Sequence, residues 1–96
     1  MREFVVRVAD VTSFDDFIAA FNEGFCRHVG GWWNGNLNAF HDYLSWPEDE
    51  RYRLVLQGWD ACVEVLGQEA YLPGQSMLDV ILEIFRDNDH VELVLN

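Results

Sequence analysis

Residues 30–44 read Gly30-Gly31-Trp32-Trp33-Asn34-Gly35-Asn36-Leu37-Asn38-Ala39-Phe40-His41-Asp42-Tyr43-Leu44. The stretch opens as a glycine-rich loop with two adjacent tryptophans and becomes a short helix. Asn36 is a good N-cap, because its side-chain oxygen accepts a first-turn N–H that has no helical partner. At about 100° per residue, Leu37, Phe40 and Leu44 share one face, which predicts their burial in a core. Asn38 and Asp42, four apart, fall together on a second face with Ser45 beside them, and His41 lies at its border. Large aromatics on a loop, beside a helix carrying a carboxylate and an amide, suit gripping a partner better than bond chemistry.

Outward from this stretch, hydrophobic periodicity predicts the remaining elements. Phe4 to Val8 is short, rich in β-branched residues and close to continuously apolar, the pattern of a buried strand. Ser13 with Asp16 resembles a capping box. Phe14, Phe17, Ile18, Phe21 and Phe25 then recur at helical spacing, which predicts a helix ending near Gly24 with its aromatic stripe in the core. Trp46 to Glu50 is a polar connector, and Pro47 disfavours helix at Trp46. Arg51 to Gln57 predicts a second strand, alternating at first and then fully apolar, closed by Gly58-Trp59. Asp60 to Leu66 predicts a short helix stopped by Gly67, and Gln68 to Gln75, with Pro73-Gly74, a loop. Ser76 caps a longer helix, Met77 to about Asn88. Its core face is Met77, Leu78, Val80, Ile81, Ile84 and Phe85, and Asp79, Glu83 and Asp87 line the opposite side. Val91 to Leu95 predicts a third strand. Two helices between consecutive strands require crossovers and parallel pairing. The expected fold is α/β: one domain over residues 1–96, a small three-stranded parallel sheet, three-layer-like, packed with about four helices.

Half of the 96 residues are hydrophobic and 15% aromatic, which argues against intrinsic disorder and for one core. Seventeen acids face six bases, every base is an arginine, and the formal charge is −11. The distribution is uneven. No arginine lies between His28 and Glu50 or between Leu54 and Phe85, while nine acids fall in those windows. Such a surface repels nucleic acid and anionic membrane and attracts a basic protein by steering. Met1 to Val8 carries charges inside any candidate apolar region, so no secretory signal is expected there. Without export, Cys26 and Cys62 are expected to be reduced thiols in the cytoplasm, small and buried. Cys26 and His28, with His41 or His90, fit no metal-ligand spacing, and no metal or other cofactor is expected.

No enzymatic activity is expected either. The chain has no GxGxxG, GxxxxGK[ST] or GxSxG, and its glycine-rich loop carries bulky tryptophans where a phosphate cradle needs open backbone. His41 and Asp42 diverge by about 100° on a helix and cannot form a dyad. Cys26 has no orienting partner in its motif. Two adjacent tryptophans among three glycines are hard to bury together, so exposed rings are expected, with one half-buried. Exposed rings beside carboxylates have the composition of an interface hot spot.

The run from Trp32 to Leu44, followed by Leu54-Val55-Leu56-Gln57-Gly58-Trp59, resembles the signature of the barstar family of ribonuclease inhibitors. Val80 to Asp87 and Val91 to Leu95 are similar to that family's last helix and strand, so the resemblance spans nearly the whole chain. Extra residues fall around Trp46 to Arg51 and Gln68 to Gln75. The resemblance implies a parallel α/β fold and inhibition by plugging a basic ribonuclease active site. It places Asp42 as the helix carboxylate that stands in for a phosphate, and Trp32 as the aromatic packing on the nuclease's catalytic histidine. Trp33, Asn36 and Trp46 match flanking contacts, Asn34 and Gly35 complete the loop, and Asp87 matches an acid that meets a basic residue. Asn38 and His41 depart from the family pattern of a second carboxylate and a tryptophan. Glu83, one turn before Asp87, adds acidity nearby. These departures imply a different target nuclease.

Two readings follow. The first is a cytoplasmic inhibitor or immunity protein, monomeric or 1:1 with a basic extracellular-type ribonuclease of the guanyl-specific microbial kind. The second is a barstar-like regulatory interaction module, or an immunity protein, for another basic protein.

Overall fold

A computed structural model describes residues 1–96. In chain order the elements are β1 (Glu3–Arg7), α1 (Phe14–Gly24), a 3-10 turn (Cys26–Val29), α2 (Leu37–Tyr43), β2 (Tyr52–Gln57), α3 (Trp59–Gln68), β3 (Ala70–Leu72), β4 (Gln75–Ser76), α4 (Met77–Asp87) and β5 (Val91–Leu95). The fold is α/β. Three parallel strands lie in the order β1-β2-β5, with Glu3 opposite Arg53 and Arg53 opposite Glu92.

The order steps across the sheet in one direction. Right-handed crossovers taken that way place every helix on the same face, so the sheet has two layers rather than the three-layer-like arrangement expected. β1 accordingly alternates instead of being buried throughout: Phe4 and Val6 face the core, while Glu3, Val5 and Arg7 are exposed. On the uncovered face Arg53 pairs with Glu3 at 3.3 Å and Glu92 at 3.4 Å across the three strands. Those carboxylates hold the guanidinium's pKa above its ordinary value. The pairs are half-exposed, so each contributes little stability.

The covered face and the helices enclose one continuous core built around rings. Phe17 and Phe21 of α1, Phe40 of α2 and Phe85 of α4 meet between the helices, with Phe21–Phe40 centroids 4.8 Å apart and Phe40–Phe85 5.4 Å apart. Phe4, Phe25 and Tyr52 join them to the sheet. The buried Tyr52 hydroxyl donates to the Leu44 carbonyl at 2.6 Å, and the His90 ring Nε2 lies 2.9 Å from the same oxygen. The end of α2 is thereby tied to β2 and to the start of β5.

Two local expectations change. α3 does not stop at Gly67 but runs to Gln68, and its cap, Glu69, is extended. A glycine in a helix costs about 1 kcal/mol, which the packing of the buried Leu66 and the α3–α4 contact offsets. Gln68 to Gln75 is not a plain loop. It holds a small antiparallel hairpin, β3-β4, turned by Pro73-Gly74, with Leu72 opposite Gln75. The Met77 N–H donates to Glu69 O at 2.8 Å, and Ser76 with Asp79 forms a reciprocal capping box, so the hairpin is tied to α4 at its base. No helix is long and apolar enough to cross a membrane.

Cys26 and Cys62 are buried free thiols, and burial pushes their pKa values up to about 12 and about 11. Unfolded, they ionise near ~8.5. Between those values the unfolded chain binds fewer protons, so stability is full below about pH 8.5 and falls as pH rises towards 11 and beyond. A urea midpoint measured against pH should decline over that window, and less steeply in a Cys26→Ala/Cys62→Ala variant. Ellman's reagent at pH 8 should label neither thiol until the protein unfolds. Native labelling at a free-cysteine rate would contradict the packing.

Candidate functional site

The loop before α2 is held by two side chains from different directions. Asn22, buried on the core side of α1, accepts from the Trp33 N–H at 2.6 Å and donates through Nδ2 to the Trp33 carbonyl at 2.8 Å. One residue earlier, the Tyr43 hydroxyl accepts from the Trp32 N–H at 3.2 Å and donates to the Trp32 carbonyl at 3.1 Å. Consecutive residues are thus gripped by α1 and by α2. Burial alternates along this segment as in extended chain, where neighbouring side chains point to opposite sides.

The two tryptophans consequently part. Trp32 is 62% exposed, and Trp33 is 1% exposed among Phe14, Phe17, Phe21 and Phe40. The Trp33 indole N–H donates to Asn36 O at 2.7 Å, so even its polar edge is used inside. Trp33 is therefore a core residue and not the half-buried contact expected; its ring presents nothing to a partner.

Gly35 then turns the chain at φ 99°, where a Cβ would strike Ile18 Cδ1 at 2.8 Å. The exposed Asn34 accepts from the Asn36 N–H at 3.1 Å, and Asn36 caps α2 by accepting from the Ala39 N–H at 3.1 Å. The side-chain oxygens of both asparagines are thus spent on the turn. Gly31 serves by its absence of bulk: a Cβ there would run into the Tyr43 ring and lie 2.9 Å from Trp46. Trp46, 47% exposed, packs on Tyr43 with centroids 4.5 Å apart. Trp32, Tyr43 and Trp46 make an aromatic flank along one side of α2.

The other side of α2 borders a groove of about 520 Å³. Leu37, Asn38, His41 and Asp42 line it from α2, Val80, Glu83, Ile84 and Asp87 from α4, and Tyr71 and Gln75 from the hairpin. The Phe40–Phe85 contact beneath holds the two helices together. Five of the candidate residues, Asn38, His41, Asp42, Glu83 and Asp87, therefore meet in one place. The three carboxylates are exposed and make no ion pair. Arg2, Arg27 and Arg53 are paired elsewhere, with Asp49, with Glu23, and with Glu3 and Glu92. No arginine lines the groove.

No three His, Cys, Asp or Glu side chains are placed to hold a metal ion. Cys26 sits in the core, whereas His28 is exposed. The arrangement is a helix crest carrying Asp42, with rings to one side and an acidic groove to the other. It can accept hydrogen bonds and positive charge over a broad, fixed surface.

Sequence reasoning missed Asn22, Tyr71 and Gln75. The signal for the last two was Pro73-Gly74, a strong turn dipeptide between residues able to pair. The signal for Asn22 was weaker, one amide among the phenylalanines of an amphipathic helix.

Replacing Asn22 by alanine leaves the Trp33 N–H and carbonyl buried without partners, at about 1–3 kcal/mol for each. Asn22→Ala should therefore lower the free energy of urea unfolding by on the order of 3 kcal/mol. A loss below about 1 kcal/mol would mean that the loop is held by other contacts. Compared with family models, curated proteins and solved structures, the chain matches none.

Proposed function

We propose that this protein is a cytoplasmic inhibitor, or immunity protein, of a basic ribonuclease of the guanyl-specific, microbial type. The observation that carries this reading is the convergence of Asp42, Glu83 and Asp87 on one groove without any neutralising arginine. A ribonuclease cleft concentrates arginine, lysine and histidine to bind phosphates. A carboxylate fixed on a helix offers those groups the charge of a phosphate with no ester to cleave. Asp42, on the crest of α2, fills that role, and Glu83 and Asp87 engage basic residues at the margin.

Burying Asp42 against a partner is favourable only where several donors meet it. The exposed Trp32 and Trp46 rings flank it and exclude water, which raises the worth of each charge-assisted bond. Asn38 accepts a hydrogen bond without adding charge, and His41 offers a smaller, partly polar ring at the groove's lip. Both tune the surface to the particular nuclease.

The experiment is titration of purified basic ribonucleases with the protein while RNA cleavage is followed. One of them should be inhibited at 1:1 stoichiometry, and Asp42→Ala should weaken the complex by ~2–5 kcal/mol, about thirty-fold or more. The association rate should fall steeply as salt is raised, because the attraction acts over distances that ions screen. Absence of inhibition across the panel, or full potency of Asp42→Ala, defeats the reading. A non-nuclease basic protein retained through a high-salt wash would favour the regulatory-module alternative.

A further inference from the structure

The hairpin is the one element whose side chains the core does not explain. All three residues of β3 are exposed, among them Tyr71 at 45% and Leu72 at 56%. A small antiparallel ribbon needs neither residue for its turn, which Pro73-Gly74 supplies. Adjacent large apolar side chains held in water cost solubility without adding to stability. Tyr71 lines the same groove as Asp42, Glu83 and Asp87.

The ribbon is fixed rather than loose at its base. The Met77 N–H to Glu69 O bond closes it, and the Ser76–Asp79 capping box joins its second strand to the first turn of α4. A partner touching Tyr71 therefore meets a side chain already positioned, with little ordering cost.

We infer that the hairpin is a third arm of the binding surface, with Tyr71 stacking on an arginine of the basic partner. This rests on the reading of the groove as the face that meets a cationic protein. Charge complementarity selects the occupant: the groove presents carboxylates with no arginine of its own. An arginine suits it better than a lysine. Its flat guanidinium can lie on an aromatic face while its edge donates to a carboxylate, and its aliphatic stem can rest on Val80 and Ile84. The aromatic flank of Trp32 and Trp46 lies across α2 from the hairpin, so the partner is gripped on both sides of Asp42.

The test is inhibition of the target ribonuclease by hairpin variants of the whole protein. Tyr71→Ala should raise the inhibition constant about ten-fold, and Tyr71→Phe should stay within about two-fold of wild type. Tyr71→Leu, which keeps bulk but loses the ring, should weaken binding as alanine does. Should Tyr71→Ala shift the urea midpoint, the Phe and Leu variants carry the comparison. Combining Tyr71→Ala with Asp87→Asn should weaken binding by less than the product of the single effects, since both hold one guanidinium. If wild type inhibits and Asp42→Ala is weak, but Tyr71→Ala and Tyr71→Leu inhibit as wild type, the arm is overturned and the reading of the groove stands. If wild type binds no ribonuclease, both fall.

Discussion

A single amide decides how this surface is built. Asn22 sits on the aromatic face of α1, where a polar side chain is costly unless every hydrogen bond is made. Its oxygen and nitrogen match the N–H and carbonyl of Trp33, and no buried side-chain polar atom in the molecule is left without a partner. Those two bonds draw the Trp33 ring into the core. They leave Trp32 on the far side of the chain, and they set the loop so that Gly35 and Asn36 start α2 where Asp42 stands on its crest. The exposed residues are placed by a buried one.

Much of the fold was legible from periodicity. Phe17 and Phe21 of α1 and Ile81, Ile84 and Phe85 of α4 repeat at helical spacing and are buried, and Leu54, Val55 and Leu56 read as the apolar part of a strand, which they form. The parallel pairing followed from the length of the connections. The uncovered face of the sheet was not legible, because it depends on strand order and crossover hand, which no local pattern carries. β1 looked apolar throughout because Val5 sits between Phe4 and Val6, yet Val5 lies on the uncovered face at the sheet's edge and is exposed.

The candidate site divides along the same line. Asn38, His41 and Asp42 belong to one helix and Glu83 and Asp87 to another, so helical spacing grouped each set. Their convergence needed the Phe40–Phe85 contact. Which tryptophan turns inward depends on Asn22, eleven positions before Trp33, and spacing within the loop says nothing about it. Tyr71 reached the groove through a hairpin whose strands, three and two residues long, are too short for periodicity to register.

The separation of paired from unpaired charge has an effect at long range. Three of the arginines are engaged in ion pairs, those of Arg53 on the uncovered sheet face, while the three groove carboxylates have no ion-pair partner and no arginine lines the groove. The face between α2 and α4 is thus a patch of uncompensated negative charge. In the field of a cationic body such a patch is drawn forward before any atom touches, which shortens the rotational search that limits the meeting of two proteins.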